Sequence, residues 1–251
     1  MKLIRLPLLL TVLGGSATAQ TFNIDLNTAN GTAGADWNVF AAPGDINGST
    51  LTPNTGGSSG VTFSASGNIV DSTGSGLSND LNRPSWVSAA AGDDFFWTDN
   101  NGTGGGESFT LTFDGMAVGS TVSLDVYASR DSTASVFGTY EYSLDGGNSW
   151  FGFDVLKNDG SAETADGWDS NDTQSQTFHI NNDGYDHGRY LNISEITLTG
   201  SSIQVRITEN TADDAYIGIN AMQLAVIPEP QSFAMLAGLM CLASVMLRRR
   251  I

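Results

Sequence analysis

Cysteine is nearly missing from this 251-residue chain: the single one, Cys241, lies in an apolar run close to the C-terminus. The rest of the chain has neither a disulfide nor thiolate chemistry to draw on, so its fold must rest on a hydrophobic core. Histidine is almost as scarce, with only His179 and His187. Neither has His or Cys neighbours at zinc-ligand spacing, and a triad hydrolase would have to find its base in one of these two. Positive charge is also short, with ten basic residues against 27 acidic ones. Residues 21–227 keep only Arg83, Arg130, Lys157, Arg189 and Arg206 against 26 acids, a formal charge of −21. Such a surface repels nucleic acid and anionic lipid, so no nucleic-acid partner is expected. Lys, Glu and Leu are sparse outside the two ends, and Gly, Ser, Thr, Asn and Asp are abundant. That composition argues against helices and for strands joined by polar turns.

What is present is alternation. Phe22, Ile24 and Leu26 keep a period of two, as do Val61, Phe63 and Ala65. The same pattern runs through Phe109, Leu111 and Phe113, then Val122, Leu124 and Val126, then Tyr140, Tyr142 and Leu144. Asp145-Gly146-Gly147-Asn148 turns the chain into Trp150, Phe151 and Phe153. Phe178 and Ile180 mark a further strand. Ile196 and Leu198, the turn Gly200-Ser201-Ser202, and Ile203, Val205 and Ile207 read as a hairpin. The last strand covers residues 216–227, and its apolar phase slips by one near Asn220 and Ala221, as at a β-bulge. Residues 27–60 and 71–106 read as turn-rich loops. These strands predict an all-β fold, a single antiparallel β-sandwich of jelly-roll-like type over residues 20–226. The absence of a 20- to 50-residue repeat excludes a propeller or solenoid.

The two ends stand apart from this body. Lys2 and Arg5, an apolar stretch over 6–13 and Ala17-Thr18-Ala19 form a secretory signal peptide over residues 1–19, so the mature chain is expected to start at Gln20. At the other end, residues 227–251 hold Pro228, Glu229 and Pro230, a membrane helix over 231–247 and a basic end at 248–250. The uncharged run 233–247 is about 22 Å long as a helix at roughly 1.5 Å per residue. That is short for a bilayer core of about 30 Å. Arginines hold the extreme C-terminus cytoplasmic, leaving the body on the far side. The motif, apolar helix and arginine cluster, in that order, resemble the PEP-CTERM sorting signal of Gram-negative bacteria, with Ile227 where the family usually has Val. The resemblance covers about a tenth of the chain. It implies exosortase as a partner, a transient membrane anchor, and delivery to the cell surface or extracellular matrix. An ordinary C-terminal anchor is the alternative. The body also resembles galactose-binding-like sandwiches in strand count and length.

Several residue groups are candidate sites. Trp86, Trp97 and Trp168 fall in predicted loops beside polar residues, where an exposed ring can stack on a pyranose face; the alternative is that they anchor those loops. Trp37 and Trp150 read as core. Two acidic loops carry Asp93, Asp94 and Asp99, and Asp169, Asp172, Asp183 and Asp186. Such loops supply the oxygens that Ca²⁺ takes, without EF-hand spacing; a solvated acidic surface is the alternative. Ser143-Leu144-Asp145-Gly146-Gly147-Asn148-Ser149-Trp150 resembles a single Asp-box, a structural turn motif. Gly56-Gly57-Ser58-Ser59-Gly60 matches the spacing of a nucleophile elbow but lacks the flanking strand and helix. No catalytic constellation emerges, and the chain reads as a non-enzyme. Three functions compete: a glycan-binding surface protein associated with extracellular polysaccharide, a purely structural or adhesive one, and a secreted glycan or ester hydrolase.

Overall fold

A computed structural model of the chain describes residues 19–26, 33–71, 83–93, 95–98, 106–129, 137–157, 176–179, 189–209 and 217–227. Within them the chain forms β1 (Gln20–Leu26), β2 (Trp37–Phe40), a 3-10 turn (Pro43–Ile46), β3 (Ser49–Thr50), β4 (Thr62–Gly67) and β5 (Val70–Asp71). A single helical turn, α1 (Ala89–Asp93), precedes β6 (Phe96–Thr98), β7 (Ser108–Asp114), β8 (Thr121–Tyr127) and β9 (Phe137–Ser143). The remainder comprises β10 (Phe151–Gly152), β11 (Asp154–Lys157), β12 (Gln176–His179), β13 (Arg189–Thr197), β14 (Ile203–Glu209), β15 (Ile217–Ile219) and β16 (Ala221–Ile227). A six-stranded sheet runs β11-β13-β8-β16-β1-β2, and a seven-stranded one runs β10-β9-β14-β7-β4-β3 with β12 also on β9. A third sheet, β15-β6-β5, is small. The all-β sandwich predicted by alternation is the observed architecture. Pairing is antiparallel except between β1 and β2, which are parallel.

The alternating residues meet between the sheets. Phe22, Ile24, Leu26, Val122, Leu124, Val126, Leu191, Ile193, Met222 and Leu224 from one sheet pack with Phe63, Phe109, Leu111, Phe113, Tyr140, Ile203, Val205 and Ile207 from the other. Burying a side chain of this size contributes roughly 1.5–3 kcal/mol, which answers the absence of disulfides.

The structure corrects several local expectations. The 71–106 region is not all loop: α1 and β6 lie in it. The expected hairpin over 196–207 is a crossing between sheets, because β13 pairs with β8 and β14 pairs with β7 and β9. Phe151 and Phe153 likewise straddle a crossing, with β10 on β9 and β11 on β13. The slip at Asn220 is a change of sheet rather than a bulge, since β15 pairs with β6 while β16 pairs with β1 and β8. A true register shift lies in β13, between Ile193 and Ile196, where Glu195 adopts φ 43°. Among the described residues no helix is long and apolar enough to cross a membrane. The expected signal peptide and the C-terminal motif and helix lie outside them.

Candidate functional site

The six-stranded sheet turns one face to the core, so the residues between the core positions line its outer face. One cross-strand row on that face takes a residue from every strand. Asp154 pairs with Asn192, Asn192 with Asp125, Asp125 with Gln223, Gln223 with Asn23, and Asn23 with Trp37. Five steps of about 4.8 Å give the row a length of about 24 Å. Within it, Asn192 Nδ2 donates to Asp125 Oδ1 at 2.5 Å, and Gln223 Nε2 donates to Asn23 Oδ1 at 2.8 Å. Burial raises the Asp125 carboxyl above its usual range, and the Asn192 hydrogen bond opposes that shift. Asn and Asp are disfavoured in strands. Their place at outward strand positions is the sequence signal that could have found this row, which the sequence reading missed.

At the Trp37 end the row meets a groove of about 320 Å³ lined by Ala35, Asp36, Trp37, Thr52, Pro53, Asn54 and Gly56. Asn38 fixes its shape. Its Oδ1 accepts from Thr52 N at 2.7 Å, and its Nδ2 donates to Thr52 O at 2.9 Å. These two bonds fasten the 52–56 loop along the edge of β2, and Asn54 N donates to Thr21 O at 2.8 Å. Trp37 is half-buried, while Asp36 and Asn54 are exposed. The expectation that Trp37 is core is thus corrected: it packs only in part, against a second, smaller cluster on the outer face. The groove combines an aromatic ring with carboxylate, amide and hydroxyl groups.

That second cluster holds Ala33, Val87, Ala91, Tyr127, Tyr190 and Ala221. It occupies the register next to the polar row, where Tyr190 faces Leu156 and Tyr127 faces Ala221. Trp86, expected to be exposed for a ligand, is half-buried against it, edge-on to Tyr190 at 6.0 Å between ring centroids. Its indole N–H is buried and has no hydrogen-bond partner among the described residues. Trp97, expected in a loop, lies on β6 between β5 and β15. The structure does not bring these two rings into the Trp37 groove, and Trp168 lies outside the described residues. Asp93 ends α1. Asp94, Asp99, Asp169, Asp172, Asp183, Asp186, Pro228, Glu229 and Pro230 lie outside the described residues. Among those that are described, no three His, Cys, Asp or Glu side chains gather as a metal site.

The opposite sheet carries the Asp-box-like turn. Asp145 Oδ1 accepts from Asn148 N and Ser149 N, each at 2.9 Å, and from Ser143 Oγ at 2.8 Å. The Ser149 backbone bond is the chief reason that its carboxyl is lowered to about 2. Gly146 and Gly147, at φ 73° and 89°, supply the left-handed backbone of the turn. Trp150 is half-buried rather than core. It lies beneath the Arg206 guanidinium, 4.0 Å from the ring centroid, while Arg206 Nε and Nη2 bind Glu141 Oε2. This is an internally satisfied group.

The chain matches no known family and no curated protein. Among solved structures, the enzymatically active domain of tailspike protein 4 from bacteriophage CBA120 is similar over 66% of this chain at 15% identity and a TM-score of 0.32. The chain spans only 19% of that structure's length. A family 35 carbohydrate-binding module from an environmental isolate is similar over 66% of this chain and 90% of its own, at 14% identity and a TM-score of 0.30. A CBM35 from Cellvibrio japonicus aligns over 64% and 92%, at 15% identity and a TM-score of 0.29.

Proposed function

We propose that the protein is a secreted, non-enzymatic surface protein that binds a glycan at the Trp37 groove and thereby associates with extracellular polysaccharide. One observation carries the reading: a half-buried Trp37 forms a wall of the groove that also presents Asp36, Thr52 and Asn54. An indole face buries the apolar face of a pyranose, and the surrounding polar groups take up its hydroxyls. The groove is at the small end of ligand sites, which suits one or two sugar rings rather than a larger cofactor. Delivery belongs to the same proposal: the signal peptide exports the chain, and the Pro228-Glu229-Pro230 tail hands it through exosortase to the cell surface or matrix.

The test is a glycan array with the purified protein, run with and without Ca²⁺ to cover the acidic loops, followed by titration of the strongest binder. Trp37→Ala is expected to weaken binding at least tenfold, about 1.4 kcal/mol, with the fold checked by an intact cooperative melting transition. A blank array combined with a cell-surface location would favour a purely structural role. Turnover of glycoside or ester substrates would overturn the non-enzymatic reading.

A further inference from the structure

We infer that the site does not end at the groove: the polar row from Trp37 to Asp154 is a set of subsites for an extended, uncharged glycan chain lying across the six strands. The inference rests on the glycan-binding reading and goes beyond it in naming the length, direction and charge of the ligand.

Three features carry it. The first is continuity. The groove and the row share Trp37, and beyond Asn23, which is buried, the strands add one half-buried or exposed hydrogen-bonding side chain each: Gln223, Asp125, Asn192 and Asp154. A single sugar needs no such row, whereas a chain of rings laid over about 24 Å meets a polar group on four of the six strands, besides Trp37. The second is unused hydrogen-bonding capacity. The bonds inside the row engage only Oδ1 of Asp125, and only Nδ2 of Asn192. Gln223 likewise uses only its Nε2, on Asn23. Asp125 Oδ2, Asn192 Oδ1 and Gln223 Oε1 therefore have no protein partner among the described residues, and Asp154 is exposed. These are acceptors, which suit the hydroxyl donors of a sugar. Fixing one half of each side chain against its neighbour also lowers the entropy lost on binding.

The third is charge. Asp36, Asp125 and Asp154 mark the path, and among the described residues no basic one holds a position in the row. A uronate or sulfated chain would meet carboxylates with no counter-charge, on a body of formal charge −21. A metal ion is a poor alternative occupant, because no three potential ligands gather among the described residues.

The experiment is calorimetric titration of the full protein with size ladders of neutral oligosaccharides (β-1,4-gluco-, galacto- and manno-oligomers, dimer upward) and with oligogalacturonates as the anionic series. The expected result is affinity in a neutral ladder that rises at least tenfold with length and then levels off, with no binding of oligogalacturonates. Asp154→Ala, an exposed change with little effect on folding, is expected to lower long-oligomer affinity severalfold while dimer affinity stays unchanged. Asn192→Ala, checked for an intact melting transition, should do the same. Trp37→Ala should remove dimer and long-oligomer binding alike. Trp37-dependent binding that is independent of length would overturn this inference and leave the groove reading intact. Tighter binding of oligogalacturonates would also overturn it, and failure of every ladder would remove both.

Discussion

Asn192 donates its side-chain amide to Asp125 Oδ1 at 2.5 Å, across a pair of strands in which the two residues are direct partners. Burial is the larger influence on Asp125 and raises its carboxyl, while Asn192 lowers it in part. A carboxyl raised in the folded state contributes stability that is fully present below its unfolded pKa and is lost as pH rises through the folded one. Ionised Asp125 therefore weakens the fold at neutral pH. Asp125→Asn keeps an oxygen for Asn192 and removes the charge. The variant is expected to be more stable than the parent at pH 7, with the gap closing as pH falls below 3.8. Urea unfolding at the two pH values checks this.

Asp145 has the opposite sign. Its hydrogen bonds from Ser149, Ser143 and Asn148 favour the anion and lower it from 3.8 to about 2. Its contribution is present above 3.8 and is lost as pH falls through about 2. A carboxyl titration followed by NMR should place its midpoint near 2. Asp145→Ala should speed amide exchange at Asn148 and Ser149, because both donors lose their acceptor.

Gly115 and Gly106 separate two costs of replacing a glycine. Both have positive φ, 84° and 93°. A Cβ on Gly106 meets nothing, whereas one on Gly115 would run into the Gly60 carbonyl oxygen. Gly106→Ala should cost about 1–2 kcal/mol from backbone conformation alone. Gly115→Ala should cost about 3 kcal/mol or more, since backbone must also move. The difference between the two melting temperatures is the measurement.

Asn220 is the joint between the small sheet and the six-stranded one, and it is fully buried. Its Oδ1 accepts from Ser129 N at 2.6 Å and its Nδ2 donates to Gly92 O at 3.1 Å, 128 residues away in sequence. Its own N–H bonds Tyr127 O at 3.0 Å, and its carbonyl takes Leu26 N at 3.0 Å. Asn220→Ala strands a buried donor and acceptor and is expected to cost about 2–4 kcal/mol, read by denaturant unfolding.

How far the sequence could be read depended on the range of each interaction. The inward positions of β1, β4, β7, β8, β9 and β14 were visible because period two is a property of neighbouring residues. The turn at Asp145 was visible for the same reason. The packing of individual tryptophans was not legible, because a tryptophan in a polar stretch looks alike whether it is a platform or an anchor. Trp86 became an anchor once Tyr190, about a hundred residues later, was beside it, and Trp37 became a groove wall once Asn38 fastened the 52–56 loop.

By itself the sequence determined the class of fold, the core-facing residues and the acidity of the surface, since alternation and composition act locally. Only the tertiary structure decided which sheet each strand joins, turning an apparent hairpin at 200–202 into a crossing and an apparent bulge at Asn220 into a change of sheet. It also decided that Asp154, Asn192, Asp125, Gln223, Asn23 and Trp37 share one row, because cross-strand register links residues up to 200 positions apart and no local pattern records it.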